Sequence, residues 1–230
     1  EPWNSITVQR GWGRIVTTKH AIWNNGPEKV LGVTRAWAEQ HPRTHQALLR
    51  ALVAAAAWCD RPANREELTR MVADERYIDT PVEAIRPSMI GRLRYSQNGP
   101  ETQTPDFMAF HRYAANFPWV SDGEWFLEQM RRAGQIDTEP DTADNNAAAA
   151  ERVIRPDLYR EACVALGRAY PIIDRRPRET HDGPWTLNHA TAPIPMGPDR
   201  RLDGTPAADP TRSDQNPTNP GAGEHAGRSA

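Results

Sequence analysis

The chain lacks most of the features that would assign a function quickly. It has two cysteines in 230 residues, Cys59 and Cys163. A pair so far apart, with no ligand-spaced neighbours, supplies neither a disulfide framework nor a zinc site, and reads as two small, partly buried side chains. There is no apolar run near the ~20 residues that cross a bilayer. Charge is balanced as well, with 28 Lys+Arg against 30 Asp+Glu and a formal net charge of -2, so bulk electrostatics point neither to nucleic acid nor to an anionic membrane.

Catalytic signatures are also missing. No Ser, Cys or Thr stands in a nucleophile-elbow context, and Glu66-Glu67 fall on a solvated helix face. Gly11-Trp12-Gly13 fails as a nucleotide loop, because Val16 occupies the third glycine position and no acid follows where one is needed. His41 and His45 have the spacing of helical zinc ligands, but Pro42 puts His41 at or before the helix start, off the common face. The sequence therefore predicts no catalytic residue, no metal and no cofactor.

What is present reads as α/β followed by helices. Residues 1–40 mix the two periods: Ile15-Val16-Thr17-Thr18 and Lys29–Thr34 are strand candidates around the turn Asn24-Asn25-Gly26-Pro27. Residues 41–190 read as mostly helical. A helix opened by Pro42 runs to about Cys59; Asn64 caps a second, with Glu66 and Glu67 in its first turn; Thr80-Pro81 opens a third that ends near Gly91. Thr104-Pro105-Asp106 opens a fourth, stopped at Phe117 by Pro118. Ser121 and Glu124 make a capping box for a fifth that ends at Gly134. An acidic loop covers 137–146, and Arg155-Pro156-Asp157 opens the last helix. Arg131-Arg132 and Arg175-Arg176 read as solvated surface. Residues 191–230, rich in Pro, Gly, Asp and Asn, bury too little apolar surface to offset chain entropy and are expected to be disordered.

The opening stretch carries the functional signal. Lys19 is the only lysine between Glu1 and Glu28, and follows a β-branched run. Read on periodicity it is a strand-end lysine pointing into water. Read functionally it is a fixed cation at a cleft, able with an indole N–H and backbone amides to hold a small oxyanion; Trp3 supplies the indole or an apolar wall.

Those same residues carry a resemblance. Glu1-Pro2-Trp3-Asn4, Gly13–Val16, Ile22–Asn25 and Pro27-Glu28-Lys29-Val30 resemble the second half of the nitrate- and bicarbonate-binding proteins of ABC importers. Asn116–Trp119 with Ser121-Asp122-Gly123, Arg132–Ile136 and Arg155–Tyr159 continue it in order, so that it covers roughly residues 1–175. The resemblance implies part of a two-lobed, type II periplasmic-binding-protein-like fold, in which Glu1 begins the stretch between lobes and an N-terminal portion precedes it in the family. It implies nitrate or nitrite as ligand, held by Lys19 (with His20 as the neighbouring alternative), Trp3 and Glu1, and no catalysis. Bicarbonate and an enzyme on the same fold are the alternatives. The partner is an ABC permease if the protein is exported. It is an RNA-binding antiterminator if the protein is a cytoplasmic nitrate sensor, a branch whose tail Ile194–Asp199 with Leu202-Asp203-Gly204 resembles.

Overall fold

The computed structural model describes residues 1–104, 106–136, 142–177 and 180–201. In chain order the described elements are α1 (Trp3–Gln9), α2 (Lys19–Ile22), α3 (Arg35–Gln40), α4 (Pro42–Cys59), α5 (Arg65–Ala73), α6 (Val82–Ile90), β1 (Arg92–Arg94), β2 (Glu101–Gln103), α7 (Val120–Arg132), α8 (Thr142–Val153), α9 (Pro156–Ala165), β3 (Trp185–Leu187) and β4 (Ile194–Met196). The strands form two antiparallel pairs, β1 with β2 in the register Leu93–Thr102, and β3 with β4 in the register Thr186–Pro195.

Helix ends follow local chemistry in most places. Pro42 sits in the first turn of α4, where its missing N–H costs nothing. Glu66 and Glu67 occupy the first turn of α5, where the positive end of the helix dipole favours them. α6 ends on Gly91 with φ of 68°, a left-handed cap that a Cβ would disfavour. The capping chemistry differs from expectation twice. Asn64 donates to the Trp58 carbonyl instead of capping α5. The Ser121 hydroxyl accepts from the Arg176 N–H instead of capping α7, which starts one residue earlier.

The larger departures have physical causes. Neither Ile15–Thr18 nor Lys29–Thr34 is a strand, and all of residues 1–40 are free of strands. The β content lies in the two hairpins beyond. Thr18 instead caps α2, its hydroxyl accepting from the Ala21 N–H at 3.2 Å. The expected helix at 104–117 is replaced by a turn and a short 3-10 segment at Arg112–Ala114. Asp60 causes this: its carboxylate accepts from the backbone N–H groups of Phe110, His111 and Arg112 at 2.6 to 3.1 Å. Those donors are thereby withdrawn from a helical ladder. The expected loop at 137–146 gives way to α8 from Thr142; residues 137–141 lie outside the described residues. The expected disordered tail loses its first part, since residues 194–196 pair with β3 and Met196 is buried. Residues 202–230 lie outside the described residues.

Two cores organise the chain. Val53 of α4, Phe117, Trp119, Tyr159 and Cys163 of α9, Leu187 and Met196 form the main one. Phe117 meets Trp119 and Tyr159 edge-on, with ring centroids 4.6 and 5.3 Å apart, a geometry that adds about 0.5–1.5 kcal/mol per pair beyond area burial. Leu68, Ile85 and Met89 form a smaller core that joins α5 to α6.

Candidate functional site

Lys19 is the first residue of α2, held there by the Thr18 cap. Its ammonium donates to the Gly26 carbonyl at 2.8 Å and lies 3.7 Å from Glu28 Oε1. Lys29 approaches the other carboxylate oxygen of Glu28 at 2.9 Å. Two ammonium groups thus share one carboxylate, which leaves the cluster with one positive charge in excess. Partial burial pushes the Lys19 amine below the ordinary lysine range, and the attraction of Glu28 only partly opposes this; Lys29 and Arg176 add repulsion in the same direction as burial. The hydrogen bond from Lys29 holds the Glu28 carboxyl below the usual carboxylate range, again against desolvation.

The turn that carries Gly26 is tied to the C-terminal part of the described chain. The Asn24 N–H donates to the Arg200 carbonyl at 2.9 Å, and the Asn25 amide donates to the Pro198 carbonyl. Gly197 makes this approach possible: a Cβ there would stand 2.9 Å from the Tyr113 ring and 3.0 Å from the Asn25 amide. Trp23 meets Trp125 of α7 edge-on at 4.8 Å, and the Arg201 guanidinium lies 4.3 Å over Trp23.

Arg176, expected on the solvated surface, belongs to this neighbourhood instead. Its side chain is 12% exposed, pairs with Asp122 at 2.9 Å and lies over the Trp119 ring at 5.3 Å. Arg175 keeps the expected surface character and pairs with Glu124 and Glu151.

Glu1 and Trp3 lie elsewhere. Glu1 Oε2 accepts from the N–H and hydroxyl of Ser5 at 3.1 and 3.0 Å, which anchors the start of α1; its Oε1 is buried and accepts no hydrogen bond. Trp3 is largely exposed, and α1 packs on α6 and β1. Among the described residues no hydrogen bond, ion pair or ring contact joins Lys19 to Glu1 or Trp3. An open cleft of about 220 Å³ lies beside α1, lined by Asn4, Thr7 and Arg14–Thr17, two residues short of Lys19. His20 contacts Asn24. His41 and His45 both pack against Trp37, at 5.6 and 5.7 Å between ring centroids.

The sequence reading missed Glu28, Lys29 and Arg176 as parts of this cluster. Glu28 and Lys29 did carry a signal, since they lie inside the Pro27–Val30 stretch that bears the family resemblance. Arg176 carried none, because a paired arginine and a solvated one look alike in sequence.

Residues 1–73 match the NMT1-like family model. The chain is 38% identical over 167 residues to the nitrate import ATP-binding protein NrtC of Synechocystis sp. PCC 6803, covering 73% of this chain and 24% of that protein. It is 35% identical over 207 residues to the nitrate/nitrite binding protein NrtA of Synechococcus elongatus PCC 7942, covering 89% of this chain and 44% of that protein. The crystal structure of the periplasmic nitrate-binding protein NrtA from Synechocystis PCC 6803 superposes with a TM-score of 0.71 at 28% identity, covering 89% of this chain and 48% of that one. The chain spans about half the length, or less, of the relatives it matches. In sequence and in fold the chain is thus similar to part of the nitrate/nitrite binding protein NrtA.

Proposed function

We propose that the chain binds nitrate or nitrite as part of an ABC-importer solute-binding protein, without catalysis, and that Lys19 is the cation that holds the anion. The observation that carries this reading is the Lys19–Glu28–Lys29 cluster, in which one carboxylate serves two ammonium groups. Nitrate is a weak acceptor, so a fixed positive charge with directed donors is what a site for it requires. In this reading Trp3 contributes its exposed indole or a wall, and Glu1 anchors the start of α1 beside the cleft. The relatives' names, which specify nitrate or nitrite binding and import, support the same ligand class.

Bicarbonate is the second reading, and one observation favours it. Glu1 Oε1 is buried with no donor, and bicarbonate has an O–H to donate where nitrate has none. Titrating nitrate, nitrite and bicarbonate with calcium into the chain separates the two readings. Binding of bicarbonate alone overturns the first.

The lowered affinity of Lys19 for its proton makes nitrate binding pH-dependent. A lysine holds its charge below its pKa, so affinity is full at neutral pH and falls as pH rises through a value below the ordinary lysine range. Nitrate titrations at stepped alkaline pH check this. An affinity that holds through the ordinary lysine pKa contradicts the assignment to Lys19.

The importer reading has an ABC permease as partner. The alternative partner is an RNA-binding antiterminator, as in cytoplasmic nitrate sensors. Cell fractionation with an antibody to this chain decides between them: protein outside the inner membrane supports the importer, and cytosolic protein supports the sensor.

A further inference from the structure

We infer that residues 197–201 form a strap that positions the Lys19 ammonium, and that Asp199 is the residue that sets the strap. The inference rests on the reading of Lys19 as the cation that holds the anion. The strap is bonded to two separate parts of the chain. Towards the site, the Asn24 N–H donates to the Arg200 carbonyl at 2.9 Å and the Asn25 amide donates to the Pro198 carbonyl. These bonds hold the turn whose Gly26 carbonyl accepts from the Lys19 ammonium at 2.8 Å. Asp199 lies between those two carbonyls and binds a different partner, His181. Its Oδ1 accepts from the His181 backbone N–H at 2.6 Å, and its Oδ2 lies 3.2 Å from the ring Nδ1. The Asp199 N–H returns a bond to the His181 carbonyl at 3.2 Å.

His181 is itself fixed. Its ring stacks on Trp185 of β3, with centroids 4.0 Å and planes 8° apart. The Trp185 indole N–H donates to the Gly197 carbonyl at 3.0 Å. β3 and β4 are seated in the main core through Leu187 and Met196. A continuous series of contacts therefore leads from the core, through Asp199, to Lys19. The links at 197, 198 and 200 are main-chain carbonyls, whereas the link to His181 depends on the Asp199 carboxylate, which is 13% exposed. The neighbouring Arg200–Asp182 pair, at 2.8 Å, lies in solvent and adds little hold. Geometry and charge make opposite predictions for Asp199. Removing a negative charge near a cationic site favours an anion, so a purely electrostatic role would strengthen nitrate binding in any neutral variant. A positioning role weakens binding only where the bonds to His181 are lost.

Two neutral variants of the full chain separate these roles. Asp199→Ala removes both acceptors. Asp199→Asn keeps an oxygen for the His181 N–H and offers an amide N–H to Nδ1. Amide hydrogen exchange reads the turn without any ligand. In Asp199→Ala the peptide spanning 20–29 should exchange about 3- to 10-fold faster, the worth of one hydrogen bond, with α4 and α9 unchanged. Asp199→Asn and the control Asp182→Ala should match the parent. Nitrate affinity should fall by a similar factor in Asp199→Ala and recover in Asp199→Asn. By reciprocity, saturating nitrate should slow exchange across 197–201 in the parent. Unchanged exchange at 20–29 in Asp199→Ala overturns the inference. So does faster exchange that spreads to α4 and α9, faster exchange with nitrate affinity intact, or an equal change of affinity in both Asp199 variants. A parent chain that binds no nitrate removes the reading of Lys19, and the exchange contrast between the Ala and Asn variants then decides the strap by itself.

Discussion

Asp60→Ala should cost about 3–5 kcal/mol of stability, the range for removing one partner of a buried ion pair. Asp60 has a side chain only 9% exposed and accepts from five donors: the N–H groups of Phe110, His111 and Arg112, and the guanidiniums of Arg65 and Arg112. Its removal strips the shared acceptor from two guanidiniums and three backbone N–H groups. These groups fix a turn that the backbone would not hold alone, since Tyr113 and Ala114 have φ of 64° and 51°. The loss is a large share of the ~5–15 kcal/mol that stabilises an ordinary domain. Urea unfolding of parent and variant measures it, and a loss under about 1 kcal/mol would show that Asp60 does not organise this turn. The turn matters to the candidate site because Tyr113 packs beside Gly197, and Asn25 donates to the Pro198 carbonyl.

Lys19→Ala should weaken nitrate binding by roughly 10- to 100-fold, the worth of one hydrogen bond to a charged group. The side chain is 47% exposed, so the fold should lose little, within about 1 kcal/mol, and the effect should appear in affinity. Lys29→Ala should act in the same direction but less, because Lys29 is far more exposed and screened by water. Lys19→Arg keeps the charge but replaces a point donor by a planar fork that does not fit the Gly26 carbonyl and Glu28 in the same way. Isothermal titration of the three variants checks the order. Unchanged affinity in Lys19→Ala moves the site elsewhere, with the cleft beside Arg14 as the next place to look.

Much of the helical framework was legible in the sequence. Pro42, Thr80-Pro81, Gly91 and Arg155-Pro156 mark their helix boundaries because proline and glycine act on their own backbone, within one or two residues. Several of the failures involve partners far along the chain. Residues 104–117 have a good helical face, but Asp60, about fifty positions earlier, takes the N–H groups that a helix would use. Val16 and Thr17 have strand propensity and no strand to pair with, and propensity without a ladder makes no sheet. Ile194–Met196 sit in a composition that reads as disordered, yet β3 supplies the ladder and the main core accepts Met196. The candidate site divides the same way. Lys19 was visible as an isolated cation after a β-branched run, whereas its sharing of Glu28 with Lys29 depends on how the turn at Asn24–Gly26 folds back, through bonds to Pro198 and Arg200 that no local pattern announces.

The central claim is that this chain carries a lysine-based oxyanion site, and calorimetric titration of nitrate into the parent chain tests it most directly, with bicarbonate plus calcium run beside it. The account predicts heat that saturates with nitrate or nitrite and is lost with Lys19→Ala. Saturable binding of bicarbonate alone, or nitrate binding that survives Lys19→Ala undiminished, would contradict it.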